Sequence, residues 1–323
     1  MKAIVRDAYG SPDVLELREI DIPEIADDEV LVHVHAAGVG RDVWHVMRGL
    51  PYPIRLAGYG FRAPKNPVIG SDVAGVVEAV GNKVSRFQPG DEVFGIGKGS
   101  YAEYVCARED KLAPKPTNLT FEQAAVVAIM GSTALQALRD HGKVRQGQEV
   151  LIIGASGGVG TYAVQIAKAF GAHVSGVCST QKVEMVRSIG ADHVIDYTQG
   201  DFAEGDQRYD VILDIGGNST LTRLRRALAQ RGTLVIVGGE GGGRWLGGTD
   251  RQLRAMMLSP FVSQKLGTFV NKENYEDLIV LKELIESGKI TPVIDRIYPL
   301  SEVPEAMRYL EAGHARGKVV ITV

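Results

Sequence analysis

The segment VLIIGASGGVG at 150–160 decides the fold. Its first four residues are apolar, a glycine turn follows, and the next stretch, TYAVQIAKAFGA, carries apolar residues at helical spacing. A strand, a tight glycine turn and a helix form the first half of a βαβ unit that binds dinucleotides. In such a unit Gly157 would let the backbone approach a pyrophosphate, and Gly160 would let the helix pack against the sheet. A glycine motif alone is weak evidence, because an ordinary tight turn has the same composition.

The chain on either side of this segment supports a doubly wound sheet. Downstream, apolar runs that suit strands alternate with segments of helical spacing, which predicts parallel strands joined by right-handed crossovers. The expected strands lie at 150–153, 173–178, 193–195, 209–214, 232–238 and 265–270, and the expected helices at 159–170, 181–189, 219–229 and 250–258. Upstream, residues 1–110 contain many short strands with glycine turns, which is typical of a barrel-like β domain.

A proline-rich segment, PKP at 114–116, marks the boundary between these two regions. Thr120, with Gln123 three residues later, predicts the capped start of a helix. We expect the small residues at 131–133 to interrupt that helix, and the stretch 134–140 to continue it.

The composition limits the class of function. The 323 residues carry a formal net charge of −3 and are 45% hydrophobic and 23% charged, as in a globular protein with two cores. This charge gives no bias toward nucleic acid or an anionic membrane, and no apolar run reaches the ~18 residues of a membrane-spanning helix. Cys106 and Cys178 are the only cysteines, which argues against a disulfide scaffold and fits a reducing cytoplasm. We therefore expect a cytoplasmic protein without nucleic-acid or membrane partners.

The segment after the second strand of the sheet indicates which dinucleotide binds. In folds that prefer NAD, an acidic residue about 20 residues after the glycines binds the ribose 2′-hydroxyl. Here the strand runs into Ser179, Thr180, Gln181 and Lys182, which offer two hydroxyls and an ammonium but no acid. These groups suit the dianionic 2′-phosphate of NADP. The alternative, that Ser179 only caps a helix and Lys182 is solvated, stays open at this point.

Six stretches together resemble the medium-chain dehydrogenase/reductase superfamily, and within it the zinc-independent quinone oxidoreductase branch. They are AAGVG at 36–40, GSDVAGVVEAVG at 70–81, PGDEVFG at 89–95, ASGGVG at 155–160, GADHVIDY at 190–197 and GKVVI at 317–321. The resemblance covers essentially the whole chain. It implies an α/β protein in which a Rossmann doubly wound parallel sheet is inserted in a GroES-like β-barrel domain. The GroES-like catalytic domain would comprise 1–124 and 272–323, and the Rossmann NADP-binding domain 125–271.

The resemblance also assigns roles in binding NADP(H). Those at the pyrophosphate fall on Ser156, Gly157, Gly158 and Val159, those at the 2′-phosphate on Ser179, Lys182 and Tyr197, and those near the nicotinamide on Thr133, Gly238 and Phe269. Two of these residues have structural alternatives. Tyr197 could be an aromatic at the edge of the core, and Thr133 a hydroxyl at a break in a helix.

The same resemblance argues against a catalytic metal. Zinc alcohol dehydrogenases carry Cys, His and Cys where this chain has Gly40, Ser71 and Ile129, and these three residues are poor or impossible zinc ligands. The lobe of four cysteines that holds a structural zinc is also missing. His33 and His35 share one face of a strand, but a solvated face explains them better than a metal pair. We therefore expect no bound metal.

Without a metal, the charge that hydride transfer places on the substrate oxygen needs a hydrogen-bond donor and then a proton. The first candidate is His45, because it lies where zinc alcohol dehydrogenases keep a proton-relay histidine. The second is Tyr52, which lies in the loop 50–67, rich in proline and glycine. Quinone oxidoreductases often place a tyrosine near the position of His45, so the chain departs from that branch here. A purely structural role for either residue stays open.

The sequence thus predicts an NADPH-dependent reductase that transfers hydride to a small-molecule quinone or α,β-unsaturated carbonyl. A zinc-independent, NADP-dependent alcohol dehydrogenase is the alternative of the same class. A non-catalytic NADPH-binding structural or sensor protein is the alternative of a different class. Family members usually dimerise through edge strands of their nucleotide domains, so we expect a homodimer joined at the strand 265–270.

Overall fold

The computed structural model describes residues 1–239 and 243–323. It divides the chain into two compact units, Met1–Ser132 with Lys272–Val323, and Thr133–Asn271. The chain leaves the first unit, forms the second and returns to complete the first. Among the described residues, no helix is long and apolar enough to cross a membrane.

Besides short 3-10 and π-helical turns, the first unit begins with seven strands and two helices, and a third helix runs on into the second unit. In chain order these are β1 (Lys2–Val5), β2 (Glu16–Glu19), β3 (Glu29–Val39), α1 (Arg41–Arg48), β4 (Asp72–Val80), β5 (Glu92–Ile96), β6 (Tyr104–Arg108), β7 (Leu112–Pro114), α2 (Phe121–Ala124) and α3 (Ala128–Gln136). The second unit contains β8 (Glu149–Ile153), α4 (Gly158–Ala169), β9 (His173–Cys178), α5 (Val183–Ser188), β10 (His193–Asp196), β11 (Tyr209–Asp214), α6 (Leu221–Ala227), β12 (Leu228–Ile236), α7 (Gly243–Leu246), α8 (Thr249–Leu258) and β13 (Lys265–Thr268). The chain then returns through α9 (Tyr275–Glu286), β14 (Ile294–Pro299), α10 (Val303–Glu311) and β15 (Lys318–Thr322).

The first unit is organised around β3, which pairs with three other strands. The main sheet has the order β14-β15-β3-β4-β5-β7, and β6 also pairs with β3. Alternate residues of β3, namely Val30, Val32 and Val34, are buried in one apolar core, as the alternating sequence predicts. Since β15 is antiparallel to β3, the last strand of the chain completes a sheet begun near its start.

One expectation about the boundary region is wrong, and one is confirmed. The stretch 131–133 does not interrupt a helix, because the break falls earlier, between α2 and α3, and α3 runs through it. The hydroxyl of Ser132 donates to the carbonyl of Ala128 at 2.6 Å, so it is satisfied inside the helix. The capping box of Thr120 and Gln123 at the start of α2 is confirmed.

The second unit contains the predicted doubly wound sheet. Its six strands have the order β10-β9-β8-β11-β12-β13, and all five pairs are parallel. The central strand β8 has four almost fully buried residues, Val150 to Ile153, as expected of a strand covered on both faces. The direction of winding reverses between β8 and β11. Ligands of such sheets bind in the crevice at that switch point, beyond the carboxyl ends of the strands.

Candidate cofactor site and catalytic residues

Close contacts within the turn after β8 explain one of its glycines and leave another without a structural reason. A Cβ added to Gly160 would lie 2.1 Å from the carbonyl oxygen of Gly154, so only glycine lets α4 start this close to the turn. At Gly157, the residue before α4, a Cβ would lie 3.5 Å from that same oxygen, which is an ordinary contact. The fold therefore requires glycine at 160 but leaves room at 157. A ligand lying against the backbone would supply the missing reason for glycine there.

A cavity of about 320 Å³ lies beyond the carboxyl ends of β8, β9 and β11. Its lining residues are Ile153, Gly154, Ser156, Val177, Cys178, Ser179, Lys182, Tyr197, Phe202, Gly216, Asn218, Ser219 and Arg223. Four of the predicted cofactor residues are thus brought together: Ser156, Ser179, Lys182 and Tyr197. This volume is within the usual range of ligand pockets.

The cavity is polar and cationic at the end of β9. Among the described residues that line it, two are cations and none is acidic. Burial, and then the negative charge of Asp196, raise the pKa of the Cys178 thiol to about 11, whereas Lys182 acts in the opposite direction. The Asp196 carboxylate accepts hydrogen bonds from the backbone N–H and the hydroxyl of Thr198, at 3.0 and 2.8 Å. The Asp196 carboxylate is therefore hydrogen-bonded within its own turn and does not line the cavity. An anionic ligand meets cations and hydroxyls there.

The other predicted cofactor residues do not line this cavity. Thr133 lies in α3, and Gly157, Gly158 and Val159 form the junction into α4. A Cβ at Gly238 would lie 2.3 Å from the carbonyl oxygen of Ile215, so this position also needs glycine. Phe269 follows the end of β13 and stacks on His141, with ring centroids 4.4 Å apart. The structure does not show these residues converging on one cavity.

A buried ion pair that sequence reasoning missed ties the loops of this edge together. Arg251 of α8 pairs with the fully buried Asp214 at the end of β11. The same guanidinium donates to the carbonyls of Ser219 and Gly238, at 2.8 and 3.0 Å. Burial raises the pKa of Asp214, and the positive charge of Arg251 opposes that rise. Arg251 therefore fixes the backbone that follows both β11 and β12.

The lining residues that the sequence did not indicate include Phe202, Asn218 and Arg223. One signal could have found the last two, because residues just after a parallel strand line the crevice of a doubly wound sheet, and both lie between β11 and the first turn of α6. No comparable signal marks Phe202, which lies on the long connection between β10 and β11.

The first unit contains the two candidate proton donors. In α1, Nδ1 of His45 lies 2.9 Å from the carbonyl oxygen of Leu50. Because a carbonyl only accepts, Nδ1 carries a proton, and Nε2 of the neutral ring is an acceptor. Tyr52 packs against Arg55, whose guanidinium carbon is 5.0 Å from the Tyr52 ring centroid and 4.4 Å from that of Tyr9. Tyr52 is thus part of a stacked arrangement that orders its loop.

Comparison with known proteins identifies the family. Residues 26–117 match the alcohol dehydrogenase GroES-like domain, and residues 189–321 match a family described as zinc-binding dehydrogenase. The chain is 38% identical to the mouse (Mus musculus) protein "NAD(P)H oxidoreductase RTN4IP1, mitochondrial", over 100% of its own length and 89% of that protein. It is 36% identical to the Arabidopsis thaliana protein "NADPH-dependent alkenal/one oxidoreductase, chloroplastic", over 99% of its own length and 79% of that protein. The structure of Escherichia coli quinone oxidoreductase complexed with NADPH superposes with a TM-score of 0.85 and 27% identity, over 100% of both chains.

The chain belongs to the medium-chain dehydrogenase/reductase superfamily. Within it, the chain belongs to the quinone oxidoreductase-like branch, since it is 33% identical to the human (Homo sapiens) protein "Quinone oxidoreductase" over 99% of its own length and 97% of that protein. The predicted family and fold class are thereby confirmed. The names of the two relatives place them in mitochondria and chloroplasts, so the comparisons do not support the expected cytoplasmic location.

The name of one matching family implies zinc, but the residues at the expected ligand positions do not fit a zinc site. A Cβ at Gly40 would lie 2.2 Å from Oδ1 of Asp42, so that carboxylate fills the space a cysteine side chain would need. The hydroxyl of Ser71 donates to Oδ2 of Asp42 at 2.5 Å, and Ile129 has no side-chain donor atom. Across residues 1–239 and 243–323, no three His, Cys, Asp or Glu side chains gather closely enough to hold a metal ion.

Proposed function

We propose that this chain is an NADPH-dependent reductase that transfers hydride to a quinone or an α,β-unsaturated carbonyl without zinc. One observation carries the proposal: the cavity at the carboxyl ends of β8, β9 and β11 joins the hydroxyl of Ser179 and the ammonium of Lys182 with no lining acid among the described residues. Such a lining suits a 2′-phosphate and disfavours NAD-type recognition by a carboxylate. Full-length similarity to proteins named for NADPH, alkenals and quinones supports the reaction class.

Each part of the cofactor has candidate residues in the second unit. We assign Ser179, Lys182 and Tyr197 to the 2′-phosphate and Ser156 with 157–159 to the pyrophosphate. The nicotinamide is assigned to Thr133, Gly238 and Phe269. When bound, NADPH supplies the hydride, and the protein's contribution is to orient the reactants and stabilise charge. Arg251 supports this arrangement because it holds the carbonyl of Gly238.

His45 is the first choice for the group that meets the negative charge on the substrate oxygen. Its Nδ1–H is committed to the carbonyl of Leu50, so only the imidazolium form can donate from Nε2. Proton transfer from His45 therefore requires the imidazolium form. The ring becomes neutral once it has given up the proton on Nε2. Tyr52 is the second choice, since its neutral phenol can donate a hydrogen bond to that oxygen.

The reaction is tested by NADPH oxidation with a panel of quinones and enones. We expect turnover with NADPH, slower turnover in H45N if His45 is the donor, and slower turnover in Y52F if Tyr52 is. The H45N variant is informative because its side-chain amide keeps a donor for the carbonyl of Leu50 while losing Nε2. Folded protein that binds NADPH but turns over neither substrate class would refute the reductase. Alcohol-dependent reduction of NADP would instead favour the dehydrogenase alternative, and partner binding altered by NADPH the sensor alternative.

The domain division, the location and the oligomeric state are part of the same proposal. We assign the nucleotide domain to 125–271 and the catalytic domain to 1–124 with 272–323, in a cytoplasmic homodimer. Within the described sheet, β13 pairs only with β12 and so leaves an edge. Apolar side chains flank that edge, with Phe261 84% and Val270 87% exposed, and a second copy could cover them. A solution mass near one 34.8 kDa chain would refute the dimer.

A further inference from the structure

Arg223 is held rigidly at the wall of the cavity. Its Nε and Nη2 both donate to Oδ1 of Asp201, at 2.9 and 2.7 Å. The carboxylate is itself fixed, because Oδ1 also accepts from the backbone N–H of Ala203 at 2.8 Å. An arginine with two donors committed in its own plane has lost most of its rotational freedom. Its guanidinium therefore presents a fixed flat surface.

One face of that guanidinium already lies on an aromatic ring. The central carbon of the guanidinium is 4.6 Å from the centroid of Phe202, within cation–π distance. Phe202 is only 5% exposed and packs in the core of the second unit with Leu151, Ile153 and Val177. Because Phe202 is packed in this core, the guanidinium has a fixed partner on that side. Both residues line the cavity, so the ligand meets them as one stack.

We propose that the adenine ring of the cofactor stacks on Arg223, with the guanidinium between the base and the Phe202 ring. The inference rests on the proposed function, because NADPH is the ligand that brings adenine to this cavity. A planar, weakly hydrated guanidinium stacks well on aromatic systems, and adenine is a flat, electron-rich one. Arg223 would then bind the part of the cofactor that NADPH and NADH share.

The competing role for Arg223 is a charge contact with the 2′-phosphate. The geometry disfavours it, because one of the two bidentate edges of the guanidinium, formed by Nε and Nη2, is taken by Asp201. The adjacent carboxylate also cancels much of the positive charge that a phosphate would meet. Lys182 is the better phosphate ligand, since it lines the same cavity beside Ser179. Replacing Arg223 should therefore weaken all adenine nucleotides alike, whereas replacing Lys182 should weaken only those that carry a 2′-phosphate.

The test is titration calorimetry of the full chain with 5′-AMP, 2′,5′-ADP and NADPH. We expect R223A to weaken all three ligands by a common factor of roughly 3 to 30, the range from an exposed to a desolvated cation–π contact. R223K should not restore binding, because an ammonium keeps the charge but not the flat surface. K182A should weaken 2′,5′-ADP and NADPH but leave 5′-AMP unchanged.

Arg226 provides the matched control. It lies on the same helix, 3.9 Å from the other oxygen of Asp201, and its side chain is 58% exposed. R226A should change binding of each ligand by less than about twofold. Should R223A fail to fold, R223M keeps the aliphatic stem and removes only the guanidinium.

The outcomes separate the inference from the proposed function. Loss of affinity confined to the ligands with a 2′-phosphate, full rescue by R223K, or unchanged binding in R223A and R223M would each overturn the stacking role. If the wild-type chain binds 5′-AMP and not 2′,5′-ADP or NADPH, the proposed NADPH dependence fails while stacking on Arg223 survives. If it binds none of the three, both fail.

Discussion

Replacing Lys318 by methionine is expected to destabilise the first unit strongly above neutral pH and weakly in mild acid. Lys318, at the start of β15, lies 3.3 Å from Oδ2 of Asp72, at the start of β4, and their side chains are 3% and 1% exposed. Oδ1 of Asp72 accepts from the backbone N–H of Ile129 at 2.8 Å. The pair thus joins the last strand of the chain to the segment that carries Ser71.

The magnitude follows from the pKa of Asp72. Burial raises this pKa from 3.8 to about 6, although the charge of Lys318 lowers it. A folded-state pKa above the unfolded value means that the folded state binds the proton more tightly. The contribution of Asp72 to the free energy of unfolding is therefore largest below about pH 4 and falls as the pH rises toward 6, by roughly 3 kcal/mol at about 1.4 kcal/mol per pH unit. Removing Lys318 raises the pKa of Asp72 further, so this fall continues to higher pH.

At about pH 8, K318M leaves a buried carboxylate without its partner, and we expect a loss of roughly 3 to 5 kcal/mol. At about pH 5, Asp72 is largely protonated in both proteins, and the loss should shrink to about 1 kcal/mol or less, because the variant then removes an ammonium that has no anionic partner. Urea denaturation followed by the fluorescence of Trp44, in a W245F background, reports on the first unit. An equal loss at both pH values would show that the charge of Asp72 does not determine the effect of K318M.

K83M is the matched control for this experiment. Lys83 lies 3.0 Å from Asp27, but their side chains are 73% and 53% exposed. Removing a solvated pair of this kind should change the free energy of unfolding by about 1 kcal/mol or less at either pH.

The remaining predictions concern the cofactor site and one helix. G160A should unfold the second unit or displace α4, because its Cβ would lie 2.1 Å from the carbonyl oxygen of Gly154. G157A should keep the melting temperature of the wild-type protein and lose NADPH affinity. Equal melting temperatures for the two variants would contradict this prediction. K182A should weaken NADPH binding by roughly 10- to 100-fold without weakening NADH, as expected of a charge-assisted contact, and an equal loss for both cofactors would exclude a 2′-phosphate role. T120A removes the capping box of α2 and should cost about 1 kcal/mol of unfolding free energy; no measurable cost would show that the cap is dispensable.

Sequence patterns predicted the elements whose residues are buried on a regular period. The strands 173–178 and 209–214 have the predicted bounds, and five of the six residues in each are buried, as expected of strands covered on both faces. The prediction that 131–133 interrupts a helix was wrong for a physical reason. A Cβ at Gly131 would lie 3.0 Å from Leu281 of α9, so this glycine serves close packing and not a helix break. Packing against a distant segment leaves no local pattern.

The parts of the site that depend on distant pairs could not be predicted. Arg251 meets Asp214 across 37 positions of sequence, and Arg223 meets Asp201 across 22. Each of these arginines looks like an ordinary surface charge in a helical segment. Likewise, only the structure shows that the carboxylate of Asp42 fills the space beside Gly40. The sequence indicated Ser179 and Lys182 because they are local to one turn.

We propose that hydride passes from NADPH to a conjugated acceptor in this protein without a metal. The most direct measurement is the rate of NADPH oxidation by the full chain with an enone or a quinone, before and after exhaustive treatment with a chelator. We expect turnover with NADPH that exceeds turnover with NADH, at a rate that the chelator does not change. Absence of turnover by folded, NADPH-binding protein, or a rate that falls with the chelator and returns with zinc, would contradict it.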